Sequence, residues 1–376
     1  MALPHSRRAL LKGGLAAGAL LPVTAAGIAL PAAAAQAEDG TFDFIIDCDS
    51  WGARPPSSEL VMHTRRTRKI VIHHMAFPNV TDYSREAAIA LAKKCQDLHM
   101  DRNGWSDTGQ HFTISRGGYV LEGRHRSLEG LKSGEQQVQS AHAVGQNTQS
   151  IGIENEGTYV TEIPPAALLD SLVKLSSTIC TQYGIHAHNM FGHWDWNNTA
   201  CPGIEFYKLF PELRRRVAVA IGTPLADVPA RVWPDGYTSS AGATVVVVKY
   251  LLRNQGYVLN TTGTYDAALL AAVKDWQAKH GFEVAGDGTW TDPTWESLAV
   301  DVDKDAVGEH VAGLQFILKN KGYAVEVTGT YDWATKKAVK AMQILHGLDD
   351  NGKVDVDTWC AVVGGIVKAE FASVLV

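Results

Sequence analysis

Residues 193–203 read HWDWNNTACPG and carry two candidate metal ligands of the chain. This stretch places an imidazole and a thiol eight residues apart, at His193 and Cys201, and it closes on Pro-Gly. A helix rarely carries so many Asn, Asp and Trp residues directly before a Pro-Gly stop, so we predict a loop that leaves the end of a strand. Imidazole and thiolate both bind zinc, and a catalytic zinc keeps three protein ligands and one open position.

A third ligand must come from a distant part of the chain. Residues 69–74 read KIVIHH, and their β-branched run predicts a buried strand that ends in two histidines, His73 and His74. A single His–Cys pair is a weak signal, because most such pairs arise by chance. A histidine at the end of a buried strand strengthens the case for a metal site, and either His73 or His74 could supply the ligand.

Strands and helices are interleaved over residues 41–220, which predicts an α/β domain with a mixed sheet and helices on its faces. Reactive side chains in such sheets gather at strand ends. His73, Glu154 and His193 are therefore expected to converge. The predicted elements are strands at 44–47, 69–73 and 150–154, a hairpin around Gly117 and Gly118, and helices that begin at Ser84 and Pro164 and span 206–220.

Two acidic residues, Glu154 and Glu156, lie two positions apart near the end of one predicted strand and should share a face of it. A carboxylate beside a metal-activated water can act as general base. A solvent-facing pair of acids is the more common arrangement. Both residues remain open as the base, and Asn155 is expected on the opposite face.

The chain has 376 residues, enough for two or three domains, and a net charge of -6. The absence of a strong basic field argues against nucleic acid as a partner. A neutral or mixed-charge polymer remains compatible with this charge. We expect a monomer.

The amino terminus has the pattern of an export signal. Arg7 and Arg8 precede an apolar run over residues 13–30, and small residues follow. This pattern predicts a twin-arginine signal peptide over residues 1–37, cleaved on export to the cell exterior or wall. No later stretch reaches the roughly 18–20 apolar residues that a spanning helix needs, so no stable membrane insertion is expected after cleavage.

The chain contains five cysteines, an odd number. If Cys201 binds zinc, four remain, and an exported protein could pair Cys48 with Cys95. The sequence leaves the connectivity open. Cys180 and Cys360 are expected to be buried free thiols.

The carboxyl-terminal half contains a repeat with an offset of 66 residues, as from Tyr257 to Tyr323. A Pro-, Gly- and Ser-rich linker over 221–242 precedes it, and the two copies are predicted at 243–300 and 306–364, each with three helices. The β-branched residues at 245–248 are expected to be helical, because the equivalent residues of the second copy favour a helix. The aromatic residues expected in the cores are Tyr265, Trp276, Trp295 and Trp359.

Taken in order, several motifs of residues 43–215 resemble the type 2 N-acetylmuramoyl-L-alanine amidases and the related peptidoglycan recognition proteins. The two repeats resemble the small three-helix peptidoglycan-binding domains found beside wall hydrolases. The motifs are WGARP at 51–55, IHH at 72–74, WSDxGxHF at 105–112, AHAxGxN at 141–147, SIGIE at 150–154, and GH to CPG at 192–203.

The resemblance implies a zinc ion held by His73, His193 and Cys201, with His74 as a supporting residue. It also implies that Glu154 is the general base and that the Thr199 hydroxyl assists the developing oxyanion. The substrate-binding positions it implies are His142, Asn147 and Gln110.

Two positions depart from the phage-lysozyme branch of the family, which carries Tyr at the position of Gln110 and Lys at that of Thr199. A lysine ammonium is therefore not available to the oxyanion. The expected reaction is hydrolysis of the amide between the lactyl group of N-acetylmuramic acid and the L-alanine of the stem peptide. The alternatives are a non-catalytic peptidoglycan-binding protein and a zinc hydrolase of another amide.

Overall fold

The computed structural model describes residues 41–372 except 198, 235, 237–239, 285 and 287. The predicted signal peptide, residues 1–37, lies outside the described residues. Among the residues that are described, no helix combines the length and apolar character needed to cross a membrane.

A six-stranded mixed sheet forms the centre of the first domain, in the order β1-β5-β4-β7-β3-β8. Its neighbours run parallel, except that β4 and β5 form the predicted antiparallel hairpin. The strands are β1 (Ile45–Ile46), β3 (Lys69–His74), β4 (Phe112–Ile114), β5 (Val120–Glu122), β7 (Ser150–Asn155) and β8 (Met190–Gly192). A separate two-stranded sheet pairs β2 (Met62–His63) with β6 (Gln137–Val138).

The helices of this domain begin where the local sequence supplies a start signal. The Ser84 side chain accepts a hydrogen bond from the Ala87 N–H and caps α2 as predicted. The single helix expected over 206–220 is wrong, because a new helix with Pro211 in its first turn starts after a break. The helices are α1 (Cys48–Trp51), α2 (Arg85–Asp97), α3 (Ser127–Ser133), α4 (Ala166–Tyr183), α5 (Ile204–Tyr207) and α6 (Phe210–Ala220).

The strand register brings the predicted reactive residues to one edge of the sheet. In the parallel pair β3–β7, His73 lies opposite Glu154. In the pair β3–β8, Ile72 lies opposite Gly192, so His193 follows directly at the same edge. The expected convergence of these strand ends is therefore present.

Each repeat folds as three helices. Residues 245–248 are helical despite their β-branched side chains, because tertiary packing overrides a weak propensity. The four predicted aromatic residues are all buried, with Trp295 and Trp359 each 1% exposed. The first repeat contains α7 (Ala243–Asn254), α8 (Ala267–Lys279) and α9 (Asp292–Leu298), and the second contains α10 (Glu309–Asn320), α11 (Trp333–Leu345) and α12 (Val356–Val362).

The repeats pack directly on the first domain. A short strand in the predicted linker, β9 (Arg231–Val232), pairs with β10 (Ile366–Val367) beyond the last helix. Ile366 and Phe371 join the hydrophobic core of the first domain. Residues 231–232 of the predicted linker therefore form a strand that pairs with the segment after the second repeat.

All five cysteines are buried and free, so the disulfide between Cys48 and Cys95 that the sequence left open is not formed in this structure. Cys48 Sγ lies 3.6 Å from the carbonyl oxygen of Gly123, whereas Cys95 Sγ lies 3.4 Å from the Gln110 amide nitrogen. The two thiols thus pack against different parts of the domain.

Candidate metal centre

The side chains of His73, His193 and Cys201 form a cluster whose ligand atoms all lie within 4.8 Å of one another. Cys201 Sγ is 3.7 Å from His73 Nδ1, and the two imidazole rings have centroids 4.4 Å apart. His73 and Cys201 are buried, while His193 is partly exposed at the mouth of the cluster.

The loop between β8 and α5 places two of these three side chains. A 3-10 turn over His193–Asp195 follows β8 immediately, so His193 stays at the sheet edge. The Trp194 N–H then donates to the Cys201 carbonyl oxygen at 3.0 Å. This bond draws the two ends of the loop together and brings Cys201 beside His193.

Hydrogen bonds at the far nitrogens orient both imidazoles. His73 Nε2 lies 2.9 Å from His142 Nδ1, and His193 Nε2 lies 3.1 Å from Asn197 Oδ1. Each contact leaves Nδ1 for the cluster, and such bonds are known to fix the tautomer and orientation of metal-bound histidines. Asn197 was missed in the sequence, although its spacing of four residues from His193 was a usable signal.

The two imidazoles of the cluster are in the neutral form that binds a cation. Burial lowers the pKa of His73 well below its ordinary value and that of His193 to about 4, so both rings are neutral at pH 7. Burial also raises the pKa of the Cys201 thiol, although the His74 N–H donates to its sulfur at 3.2 Å. Since metal coordination deprotonates a thiol, a bound cation would offset this cost.

The donor set fits zinc. A tetrahedral centre with Zn–S of about 2.3 Å and Zn–N of about 2.0–2.1 Å needs sulfur and nitrogen roughly 3.6 Å apart. The observed separation of Cys201 Sγ and His73 Nδ1, 3.7 Å, meets this requirement. Two imidazoles and one thiolate leave the fourth position free, as in catalytic zinc sites.

Glu154 stands beside this cluster. Its Oε1 lies 3.9 Å from His73 Nδ1, and its Oε2 is buried without a hydrogen-bond partner among the described residues. Burial raises the pKa of Glu154 to about 8. A carboxyl group with one unsatisfied oxygen next to three potential ligands has the position required of a general base.

Glu156 does not share this environment. Strand β7 ends at Asn155, so the alternation that should place both acids on one face stops before Glu156. Glu156 Oε2 accepts the Arg116 N–H at 2.7 Å, at the turn of the β4–β5 hairpin. Asn155 Nδ2 donates to the His73 carbonyl oxygen at 2.8 Å and so braces the ligand strand.

His142 lies behind the cluster, where it contacts a ligand. Its Nδ1 faces His73, and its Nε2 lies 3.2 Å from Ser150 Oγ. A Cβ atom at Gly152 would come within 2.3 Å of the His142 ring, so this glycine gives the imidazole its space. His142 thus helps to orient His73 in this structure, and the substrate contact implied by the resemblance stays a prediction.

Asn147 and Gln110 are also engaged within the protein. Asn147 Oδ1 accepts the Ala143 N–H at 2.9 Å and thereby shapes the loop before β7. Gln110 is 1% exposed, and its amide donates to Thr113 Oγ1 at 2.8 Å and to Cys95 Sγ at 3.4 Å. These hydrogen bonds hold Gln110 inside the domain, and its contact with substrate stays a prediction.

Thr199 is partly exposed next to the cluster. Its Oγ1 accepts the Cys201 N–H at 3.2 Å. A hydroxyl group that accepts one bond keeps its own proton to donate. The side chain therefore remains available as a hydrogen-bond donor at the mouth of the site.

Comparisons with known proteins place this geometry in a family. A family model for N-acetylmuramoyl-L-alanine amidase matches residues 63–204. A model for a peptidoglycan binding domain matches twice, at residues 241–298 and 307–362. The chain thus combines one amidase-type domain with two copies of the binding domain.

Curated relatives agree with these matches. Peptidoglycan-recognition protein LB of Drosophila melanogaster is 32% identical over 171 residues, which cover 45% of this chain and 67% of that protein. Peptidoglycan-recognition protein SC2 of Drosophila simulans is 30% identical over 164 residues, 43% of this chain and 82% of the relative. The N-acetylmuramoyl-L-alanine amidase of Sus scrofa is 27% identical over 163 residues, 42% of this chain and 25% of that protein.

Solved structures of the same kind are similar to this chain. The match with wild-type Drosophila PGRP-LB covers 44% of this chain and 91% of the PGRP-LB chain, with 29% identity and a TM-score of 0.38. The match with the amidase LysC from Clostridium intestinale URNW covers 46% of this chain and 96% of LysC, with 25% identity and a TM-score of 0.36. The resemblance predicted from the motifs is confirmed by the family models and relatives: the chain belongs to the family of type 2 N-acetylmuramoyl-L-alanine amidases and peptidoglycan recognition proteins, and it carries two peptidoglycan-binding domains.

Proposed function

We propose that the protein is an exported zinc-dependent N-acetylmuramoyl-L-alanine amidase. Its substrate would be the amide between the lactyl group of N-acetylmuramic acid and the L-alanine of the stem peptide. The observation that carries the proposal is the cluster of His73, His193 and Cys201 with the unsatisfied carboxylate of Glu154 beside it. Recognition alone requires neither a complete set of metal ligands nor an adjacent base.

The three ligands would hold zinc, which supplies Lewis acidity toward the amide carbonyl and toward water. With the bound cation favouring its ionised form, Glu154 would accept the proton of the attacking water and return it to the departing amine of L-alanine. The position of Glu154 Oε1, 3.9 Å from His73 Nδ1, supports this role, because it lies beside the nitrogen that would bind the zinc. His142 and Asn197 hold the far nitrogens of the ligands and keep their orientation.

Thr199 would assist at the oxyanion. Its hydroxyl oxygen already accepts one hydrogen bond from the Cys201 N–H, so its proton is free for the substrate oxygen. A donor of this kind contributes in proportion to the charge that develops in the transition state. Its contribution is expected to be smaller than that of Glu154, which transfers the proton itself.

The two binding domains support peptidoglycan as the ligand. Binding of the repeats to the wall would raise the effective concentration of substrate at the site. Export through a twin-arginine signal in residues 1–37 would let the chain fold before it leaves the cell. The five free cysteines are compatible with folding in a reducing compartment.

The experiment that tests this proposal is the release of stem peptides from purified peptidoglycan. Mass spectrometry and amino-terminal labelling should find free peptides that begin with L-alanine. A chelator should stop the release, and added zinc should restore it. Cleavage at another amide would refute the substrate assignment while leaving the metal site intact.

A recognition role without hydrolysis is the second candidate. It is favoured by Gln110, which is buried at a position where another branch of the family carries a tyrosine. Tight binding to peptidoglycan and zinc without any peptide release would establish this role. The relatives named peptidoglycan-recognition proteins make it a necessary control.

A further inference from the structure

A buried lysine of the second repeat reaches the loop that carries two of the metal ligands. Lys321 Nζ lies 3.0 Å from Asp195 Oδ1, and the two side chains are 2% and 0% exposed. The same Nζ lies 3.0 Å from the Tyr207 hydroxyl oxygen and 5.3 Å from the centre of the Trp194 ring. Asp195 follows the ligand His193 by two residues.

Asp195 connects this lysine to the backbone at the metal centre. Its Oδ2 accepts the N–H of Gly192, the last residue of β8, at 2.8 Å. Its other oxygen, Oδ1, accepts from Lys321 and from the Tyr207 hydroxyl, also at 3.0 Å. The carboxylate thus fixes the turn that contains His193 from one side and the second repeat from the other.

Two further parts of the repeats meet Asp195. The hydroxyl of Thr244, in the first turn of α7, donates to the Asp195 carbonyl oxygen at 2.9 Å. Gly364, just after α12, approaches so closely that a Cβ there would lie 2.5 Å from Asp195 Oδ1. Both repeats therefore close over this one residue of the ligand loop.

The two repeats differ at the lysine position. Lys321 follows α10 directly as its C-cap, and the residue 66 positions earlier, Gln255, is the C-cap of α7. Gln255 is exposed, whereas Lys321 is 1% exposed. The three-helix fold itself does not need a buried cation at this position, since the first repeat forms without one.

We propose that Lys321 is a positioning residue for the metal centre, acting through Asp195 on the loop from His193 to Cys201. The second repeat would then be a structural part of the active site in addition to a wall-binding domain. This inference rests on the proposed zinc site. It concerns the protein's affinity for zinc and the geometry of the ligands, so it can be tested without substrate.

The physical reason is the cost of an unpaired buried charge. Without Lys321, the Asp195 carboxylate would lose its cation and would have to reach water or change its contacts. Either change would disturb its bond to the Gly192 N–H and hence the position of His193. Residues that orient metal ligands from the second layer typically change affinity 10–100-fold when they are replaced.

The test is Lys321→Met, which keeps most of the aliphatic stem and removes the charge. Zinc affinity should be measured by competition with a chromophoric chelator, and the cobalt-substituted protein should be examined for its thiolate charge-transfer band. Lys321→Met should bind zinc 10–100-fold more weakly and show a shifted band. If the wild type has amidase activity, the activity of Lys321→Met should be closer to the wild-type value at saturating zinc than at limiting zinc.

Lys249→Met is the matched control. Lys249 is also fully buried in a repeat, and its Nζ lies 2.8 Å from Asp266 Oδ2, entirely within the first repeat. The same substitution there removes a buried lysine from an ion pair, whose carboxylate is 28% exposed, without touching the ligand loop. Its zinc affinity should stay within threefold of the wild type.

Lys321→Gln provides a milder second variant, because it installs the residue that the first repeat has at this position. It should lose less zinc affinity than Lys321→Met. Equal zinc affinity in wild type and Lys321→Met would overturn the positioning role, and so would an equal loss in Lys249→Met. If both Lys321 variants fail to fold while Lys249→Met folds, Lys321 serves folding generally and the proposal is likewise wrong.

The outcomes separate this inference from the proposed function. A wild type that binds no zinc refutes the proposed function itself. A wild type that binds zinc with unchanged affinity in Lys321→Met refutes only the role of Lys321. A wild type that binds zinc but cleaves nothing leaves the comparison of affinities valid.

Discussion

Buried ionisable groups are paired differently at the candidate metal centre and at the contact between the first domain and the repeats. At the metal centre, Glu154 Oε2 has no partner within the described residues, and Cys201 is a buried thiol beside neutral imidazoles. At the contact, buried charges are paired: Lys321 with Asp195, and Arg214 with Glu370 at 2.9 Å.

The difference separates groups kept for chemistry from groups kept for architecture. A buried ionisable group without an oppositely charged partner costs folding free energy, and such groups are often kept for binding or catalysis. Paired buried charges hold one arrangement of the two halves, and removal of one partner is strongly destabilising. Substitutions in the His73–His193–Cys201 cluster should therefore change zinc binding and activity, and substitutions at the Arg214–Glu370 pair should change stability. Lys321 belongs to the contact but pairs with the ligand loop, so its substitution should also change zinc affinity.

The largest effect is expected from Cys201→Ser. The substitution removes the thiolate, and with it the ability of the cluster to hold zinc, so activity should fall roughly 10³-fold or more. Metal analysis should find little bound zinc. The melting temperature of the metal-free protein should stay close to that of the metal-free wild type. A variant that still hydrolyses peptidoglycan at the wild-type rate would remove Cys201 from the centre.

Substitution at the Arg214–Glu370 pair of the contact between the first domain and the repeats should lower stability and leave zinc binding unchanged. Glu370→Gln leaves the buried guanidinium of Arg214 without its carboxylate, and His346 Nδ1, 2.6 Å from Glu370 Oε1, also loses a charged partner. The free energy of unfolding should fall by about 3 kcal/mol. Denaturant titration measures this loss. Zinc content and the rate per folded molecule should remain within threefold of the wild type, and a complete loss of zinc would break the comparison.

Acid should weaken the same contact. Burial raises the pKa of Glu370, but the charges and hydrogen bonds of Arg214 and His346 lower it by more. The pKa of Glu370 therefore lies below that of an ordinary glutamate. A depressed pKa gives stability that is fully present above the unfolded value of about 4.3 and is lost as pH falls through the folded value. Melting curves of wild type and Glu370→Gln should therefore converge below about pH 4. A constant difference down to pH 2 would contradict this assignment.

The smallest effect is expected from Asn147→Ala. Asn147 Oδ1 accepts the Ala143 N–H, and the loss of one such bond costs about 1 kcal/mol. If Asn147 only shapes its loop, the Michaelis constant for peptidoglycan fragments should change less than threefold. A tenfold rise with unchanged stability would return Asn147 to the substrate-binding residues.

Most of the fold was accessible from the sequence because its signals are local or periodic. The run at 69–74 identifies a buried strand, and parallel pairing then brings His73 and Glu154 to one edge. The offset of 66 residues identifies two copies of one unit, and comparison of the copies predicts a helix at 245–248 in spite of its composition.

The remainder depends on contacts between distant parts of the chain. The sequence places His142 in a motif but cannot show that its ring lies beside His73, because that contact joins a loop to a strand 69 residues earlier in the chain. It likewise gives no sign that Lys321 meets Asp195, 126 residues earlier. The sequence left Glu154 and Glu156 as equal candidates for the base. Their surroundings differ because β7 ends at Asn155, and local propensity does not fix such a boundary.

In the proposed function, the cluster of His73, His193 and Cys201 acts together with Glu154 to hydrolyse peptidoglycan. The most direct measurement compares wild type with Glu154→Gln for peptide release, zinc content and wall binding in the same preparations. We predict that the variant keeps zinc and wall binding while release falls by roughly 10²–10⁴-fold, because the amide retains the shape of the side chain but cannot accept a proton. Undiminished release by Glu154→Gln, with the new L-alanine amino terminus, would contradict the account.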